Sequence, residues 1–186
     1  MVKQKKNYIA EKKKKHLIKA GMWGCIIFVI MVTGILLLDT RASYFTVVAA
    51  VLVLPLALHI TRFVAFVKYQ DPSIDQAERL EQIKGNYVLY HSAIIADPLG
   101  TFYFEHIIVT AKNIYFITKD QQVIEKAKPI LAVKLENKGV SAKSLHFIHV
   151  SQGKTIEKIA CKIEKEANQV DEVLETTIKI IDGMLM

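Results

Sequence analysis

Residues 20–38, AGMWGCIIFVIMVTGILLL, and residues 44–61, YFTVVAAVLVLPLALHIT, decide how the rest of the chain is read. The first is 19 residues without a formal charge, and the second is 18 residues whose only acidic or basic side chain is His59. As helices rising about 1.5 Å per residue, each approaches the roughly 30 Å of a bilayer's hydrocarbon core. A helix is also the conformation that satisfies its own backbone there. The pattern predicts a two-helix membrane hairpin over residues 20–66, with residues 39–43 as a short outer loop. The apolar run is longer than the core of a signal peptide, and Leu37-Leu38-Asp39-Thr40 lacks a small-x-small cleavage pattern, so the span is expected to be retained. No acidic or basic side chain sits at mid-membrane to suggest transport. Pro55 is a residue that membrane helices tolerate, and Gly21, Gly24 and Gly34 offer places for close helix contact.

The formal charge of +7 is localised. Residues 1–19 carry eight lysines against Glu11, whereas fourteen Lys/Arg face sixteen Asp/Glu from Tyr69 onward. By the positive-inside rule the lysines of this basic tail place it, and with it both termini, in the cytoplasm, against anionic lipid. The remaining domain, residues 67–186, is mildly acidic and lacks the basic footprint of a nucleic-acid-binding domain, which favours a protein partner over nucleic acid. Cys25 and Cys161 cannot pair across this arrangement and fit a reducing compartment, as small packing residues.

Pro72 ends the membrane segment and Ser73 can cap a helix that carries Ile74, Ala77, Leu80 and Ile83 as far as Gly85. Three strands follow, over residues 87–96, 101–110 and 114–118, with Asp97-Pro98-Leu99-Gly100 as the first turn. In the second strand, alternation predicts Phe102, Phe104, His106 and Ile108 on one face, and Tyr103, Glu105, Ile107 and Val109 on the other. Asn113, able to adopt a left-handed backbone, marks the next turn. Residues 121–138 support two readings. Ile124, Ala127, Leu131 and Leu135 form a helical stripe, favouring a helix from near Pro129, while Leu131, Val133 and Leu135 also alternate as a strand would. A strand over 144–150 and an amphipathic helical region over 155–184 close the chain. His146 and His149, three apart in a strand, fall on opposite faces and do not make a metal pair.

The order helix, three strands, helix, strand, helix matches an αβββαβ core. Phe104-Glu105-His106-Ile107-Ile108-Val109-Thr110 followed by Asn113-Ile114-Tyr115-Phe116-Ile117 resembles the nuclease-related domain, NERD, of the restriction-endonuclease-like class. Ala77-Glu78 and Lys128-Pro129-Ile130 resemble that family's Gly-Glu and Asn-Pro-Ile positions. The resemblance spans about residues 75–165. It implies a metal-dependent nuclease fold in which a strand acid and a Glu-x-Lys strand hold Mg²⁺ or Mn²⁺ and stabilise developing charge. Glu105 stands at the Asp position and is the implied metal ligand, Thr118 stands at the Glu position and Asp120 at the Lys position. Lys119 reaches the site only with a slipped register; Glu78 and Asp97 are supplementary carboxylates. The resemblance therefore implies a degenerate site with no cofactor, hence a membrane-anchored binding or regulatory module. Its alternative is a membrane-tethered nuclease using Glu105, Lys119, Glu78 and Asp97 with a divalent metal. A third reading takes residues 121–138 as strands, giving an antiparallel domain closed by a helix, similar to a bacterial pleckstrin-homology-type module for lipid or protein contact.

Overall fold

The computed structural model describes residues 1–38, 44–150, 154–166 and 173–185. The expected loop at 39–43, and residues 167–172 of the expected helical region over 155–184, lie outside the described residues. The chain forms two compact units, Ile9–Gln70 on one hand and Met1–Tyr8 with Asp71–Met186 on the other.

The first unit is a pair of long helices, α1 (Tyr8–Leu38) and α2 (Tyr44–Val67), the latter continuous through Pro55. Both are long and apolar enough to cross a membrane. Their apolar side chains point outward, Phe28 at 68%, Leu36 at 79% and Leu54 at 71% exposed, a surface that suits hydrocarbon rather than water. The helices run antiparallel. Near one end Lys13 Nζ donates to the carbonyls of Val67 and Tyr69 at 3.1 and 2.6 Å, satisfying acceptors that the end of α2 leaves open. His16 lies beside His59, with Nδ1 atoms 3.4 Å apart, and stacks on Phe66. Near the other end Gly34 meets Phe45, and a Cβ on Gly34 would fall 2.6 Å from the Phe45 Cβ. Of the three glycines expected to permit close contact, Gly34 does so, while Gly21 and Gly24 have nothing within 4 Å of a built Cβ.

The second unit is an α/β domain around a five-stranded mixed sheet in the order β1-β2-β3-β4-β5. Its members are β1 (Val2–Gln4), α3 (Ile74–Glu81), β2 (Val88–Asp97), β3 (Gly100–Val109), β4 (Ile114–Thr118), α4 (Gln121–Glu136), β5 (Leu145–His149), α5 (Lys154–Glu166) and α6 (Val173–Asp182). A short 3₁₀ turn, Ala142–Ser144, leads into β5. β2, β3 and β4 are antiparallel neighbours, while β1 lies parallel to β2 and β5 parallel to β4. β4, Ile-Tyr-Phe-Ile-Thr, is buried at every position, as a central strand covered on both faces must be. One core joins Phe102, Phe104, Ile107, Phe116, Leu131, Leu135 and Ile181. The other joins Leu80, Ile83, Leu89, Ile108, Tyr115, Ile159 and Ile163.

Three sequence expectations are corrected. Residues 121–136 form one helix that starts at Gln121 and carries Pro129 inside it, so the pleckstrin-homology-type reading, which needs strands there, falls. Leu131 and Leu135 are fully buried whereas Val133 is 60% exposed, a burial pattern a strand cannot produce. Alternation along β3 breaks, because Phe104 and Ile107 share one core although they are three apart. The pairs His91 with His106 and Ala93 with Phe104 bracket Ser92 and Glu105, and Ser92 has φ +54°, so both strands change face at this step. Asn113 is not left-handed. Thr110 closes that turn instead, its N–H and hydroxyl donating to the Asn113 carbonyl and its Oγ1 accepting the Asn113 N–H.

β1 has no counterpart in the sequence expectations. Residues 1–19, read there as one basic tail, contain this strand and the opening turns of α1. Met1 O accepts the Leu89 N–H, and Lys3 pairs with Asp182 at the end of α6, where the Tyr90 hydroxyl also donates at 2.7 Å.

Candidate functional site

The step at Ser92 and Glu105 gathers polar side chains in the middle of an otherwise apolar sheet. Pro98 and Leu99 form a two-residue loop that pairs Asp97 with Gly100 and thereby, six residues along each arm, His91 with His106. Both rings are fully buried. Their Nδ1 atoms are 2.8 Å apart, and His91 Nε2 lies 3.1 Å from the Glu81 carboxylate on α3. The contacts are linked in one relay: where His91 Nε2 donates to the Glu81 carboxylate, His91 Nδ1 accepts and His106 donates from Nδ1. His106 Nε2 is left as a buried lone pair without a hydrogen-bond partner among the described residues. Burial, joined for His106 by His91 and Lys119, holds both imidazoles below the ordinary histidine pKa, that of His106 at about 3.

Around this relay, Ser92 Oγ donates to Asp71 Oδ1 at 2.6 Å, and Tyr103 lies beside Ser92 with its hydroxyl pKa raised by burial and by Glu105. Glu105 is largely buried, and its Oε2 accepts the Lys119 N–H at 2.9 Å. Burial raises its pKa, against the pull of that amide and of the Lys119 charge.

Several of the residues that the nuclease reading needs together have partners of their own. Glu78, on α3, pairs with Lys6 at 2.8 Å. Asp97, at the end of β2, pairs with Lys134 of α4 at 2.8 Å and accepts the Leu99 N–H, contacts that lower its pKa. α3 packs into one core and α4 into the other, and Glu78 and Asp97 are each held by a different lysine. Thr118 Oγ1 accepts the Asp120 N–H, and Asp120 caps α4 by accepting the Gln122 N–H at 2.9 Å. Lys119 contributes its main chain, to Glu105 and to His149. Among the described residues no three His, Cys, Asp or Glu side chains are arranged to hold a metal ion. His146 and His149 bond separately, to Asn113 Oδ1 and to the Lys119 carbonyl. Cys25 and Cys161 are free and exposed rather than packed.

Sequence reasoning missed Glu81, His91, Ser92 and Asp71. The signal for His91 was available in the two-residue loop, which sets the register that brings it opposite His106. The positive φ at Ser92 had none, because serine is not a residue that announces such a backbone. In the comparisons with known proteins, no family model, no curated protein and no solved structure matches this chain.

Proposed function

We propose that this chain is a membrane-anchored cytosolic binding or regulatory module, whose α/β domain is of the restriction-endonuclease-like type related to NERD and does not cleave nucleic acid. The element order supports the fold assignment: one helix, three antiparallel strands, a helix, then a strand parallel to the third. The observation that carries the functional reading is the employment of Thr118, Lys119 and Asp120. The segment aligned with the nuclease Glu-x-Lys motif is committed to local contacts instead: the Lys119 N–H donates to Glu105, and Asp120 caps α4. The eight lysines of residues 1–19 support a cytoplasmic placement and contact with anionic lipid, and the acidic balance after Tyr69 supports a protein partner.

The test is nuclease activity of the full chain in lipid nanodiscs with Mg²⁺ or Mn²⁺, beside Glu105→Gln. The whole chain is needed because β1 is part of the domain's sheet. No metal-dependent cleavage above the buffer control is expected. Cleavage that disappears in Glu105→Gln would establish the membrane-tethered nuclease instead.

A further inference from the structure

The two margins of the sheet are finished differently. Beyond β2 lie the three-residue β1, which carries Lys3, and an isolated bridge from Ile95 to Leu185, so that margin is short and covered. A short, lysine-bearing edge is a common guard against unwanted strand pairing. Among the described residues β5 has no such guard. Among the described residues it pairs with β4 alone, and Phe147 and Ile148 are half-buried, not covered. Alongside it runs an open cavity of about 450 Å³ lined by four consecutive β5 residues, Leu145 to Ile148, with Ile124 and Lys128 of α4 and Ile159 and Lys162 of α5. Since consecutive strand residues face opposite sides of a sheet, a cavity touching all four follows the strand's edge and is flanked by a helix on each side.

We propose that this groove receives an extended, acidic peptide segment of a partner protein, which adds to β5 as a sixth strand. Every second residue of a strand directs its N–H and C=O away from its existing neighbour, and a peptide backbone matches that row of groups as a phosphodiester backbone does not. Alternate side chains of the guest meet Ile124 and Phe147 on one side and Ile159 and Ile148 on the other. The charge of the guest follows from the rim. Lys128 and Lys162 are both exposed, and Lys162 Nζ lies 5.4 Å above the Tyr115 ring, which itself stacks on His146. The nearby Glu166 carboxylate accepts the Tyr115 hydroxyl at 2.7 Å. The same two lysines argue against a second copy of this chain, because a two-fold pairing of β5 with β5 would bring four lysines to one seam.

This inference rests on the binding-module reading, and its test does not use nuclease activity, so either can fail alone. The full chain in nanodiscs is used to select from a display library of random octapeptides, with a dodecamer of thymidylate as a competitor. Selected peptides are expected to be rich in Val, Ile, Thr and aromatic residues with at least one Asp or Glu. The tightest of them should lose tenfold or more in affinity for Lys128→Glu/Lys162→Glu. N-methylation of its alternate amides should abolish binding in one register and spare it in the other, a result that does not depend on how a variant folds. Recovery of no peptide, peptides without acidic residues, indifference to N-methylation in both registers, displacement by the oligonucleotide, or dimerisation of the chain through β5 would each overturn the proposal.

Discussion

Ser92 holds a backbone that L-residues rarely adopt, with φ +54°, and its Oγ–H is committed to Asp71. It stands next to His91, which the hairpin register pairs with His106, and both rings are buried inside the sheet. Two buried, neutral imidazoles give this domain a pH dependence whose sign is fixed. Their folded pKa values lie below the roughly 6.5 of an unfolded histidine, so the unfolded chain binds more protons once the pH drops below that value. The stability is fully present above pH 6.5 and is lost as the pH falls toward about 3, the value for His106. Glu105, whose pKa is raised, acts in the opposite sense, its contribution being lost as the pH rises above the ordinary carboxylate value. Amide exchange in β2 and β3, corrected for its intrinsic rate, should therefore be faster at pH 5.5 than at 7.5, by up to about tenfold per unit below 6.5 for each histidine. In His91→Leu/His106→Leu most of that difference should vanish; an unchanged pH dependence would mean that the pair is not buried neutral. Of this site the sequence displays the chemistry-bearing residue types but not their meeting. Glu105 and His106 stand out along the chain, whereas Glu81, Asp71 and Ser92 enter only through the register of the hairpin and one unusual backbone angle.

The elements were more legible than the site, and for a physical reason. Helix and strand follow from periodicity over several residues, so β4 over Ile114–Thr118 is read from sequence to the residue and β2, β3 and β5 to within one. The start of α4 was misplaced because Pro129 looks like a first-turn residue; the actual signal is Asp120, a good N-cap that the nuclease comparison had assigned to another task. In the helical pair, composition shows three glycines but not which one faces a neighbour. Gly34→Val places its side chain against the Phe45 Cβ and should cost about 1–3 kcal/mol through overpacking. Gly21→Ala and Gly24→Ala, with open space around them, should be neutral or slightly stabilising. Thermal melting of the three variants in one detergent checks this, and equal losses at all three positions would contradict the packing described for α1 and α2.

At the scale of the molecule, the feature absent from the sequence reading is that the helical pair interrupts a domain. β1 precedes α1, yet it belongs to the same compact unit as the chain from Asp71 onward. Three residues are too few to carry a strand pattern, and a run of lysines around them reads as a topology signal alone. The connection has a topological consequence: if α1 and α2 each cross the bilayer, β1 and β2 can pair only when both ends of the hairpin emerge on one side. Cysteine labelling in intact expressing cells tests this most directly, using a membrane-impermeant maleimide and a chain with Cys25→Ser. The native Cys161, exposed on α5, and a cysteine placed by Lys5→Cys just after β1 should react only after lysis, while Ser43→Cys reacts from outside. Labelling of Cys161 in intact cells, or of position 5 and Cys161 from opposite sides, would contradict a cytosolic domain tethered by a two-span hairpin.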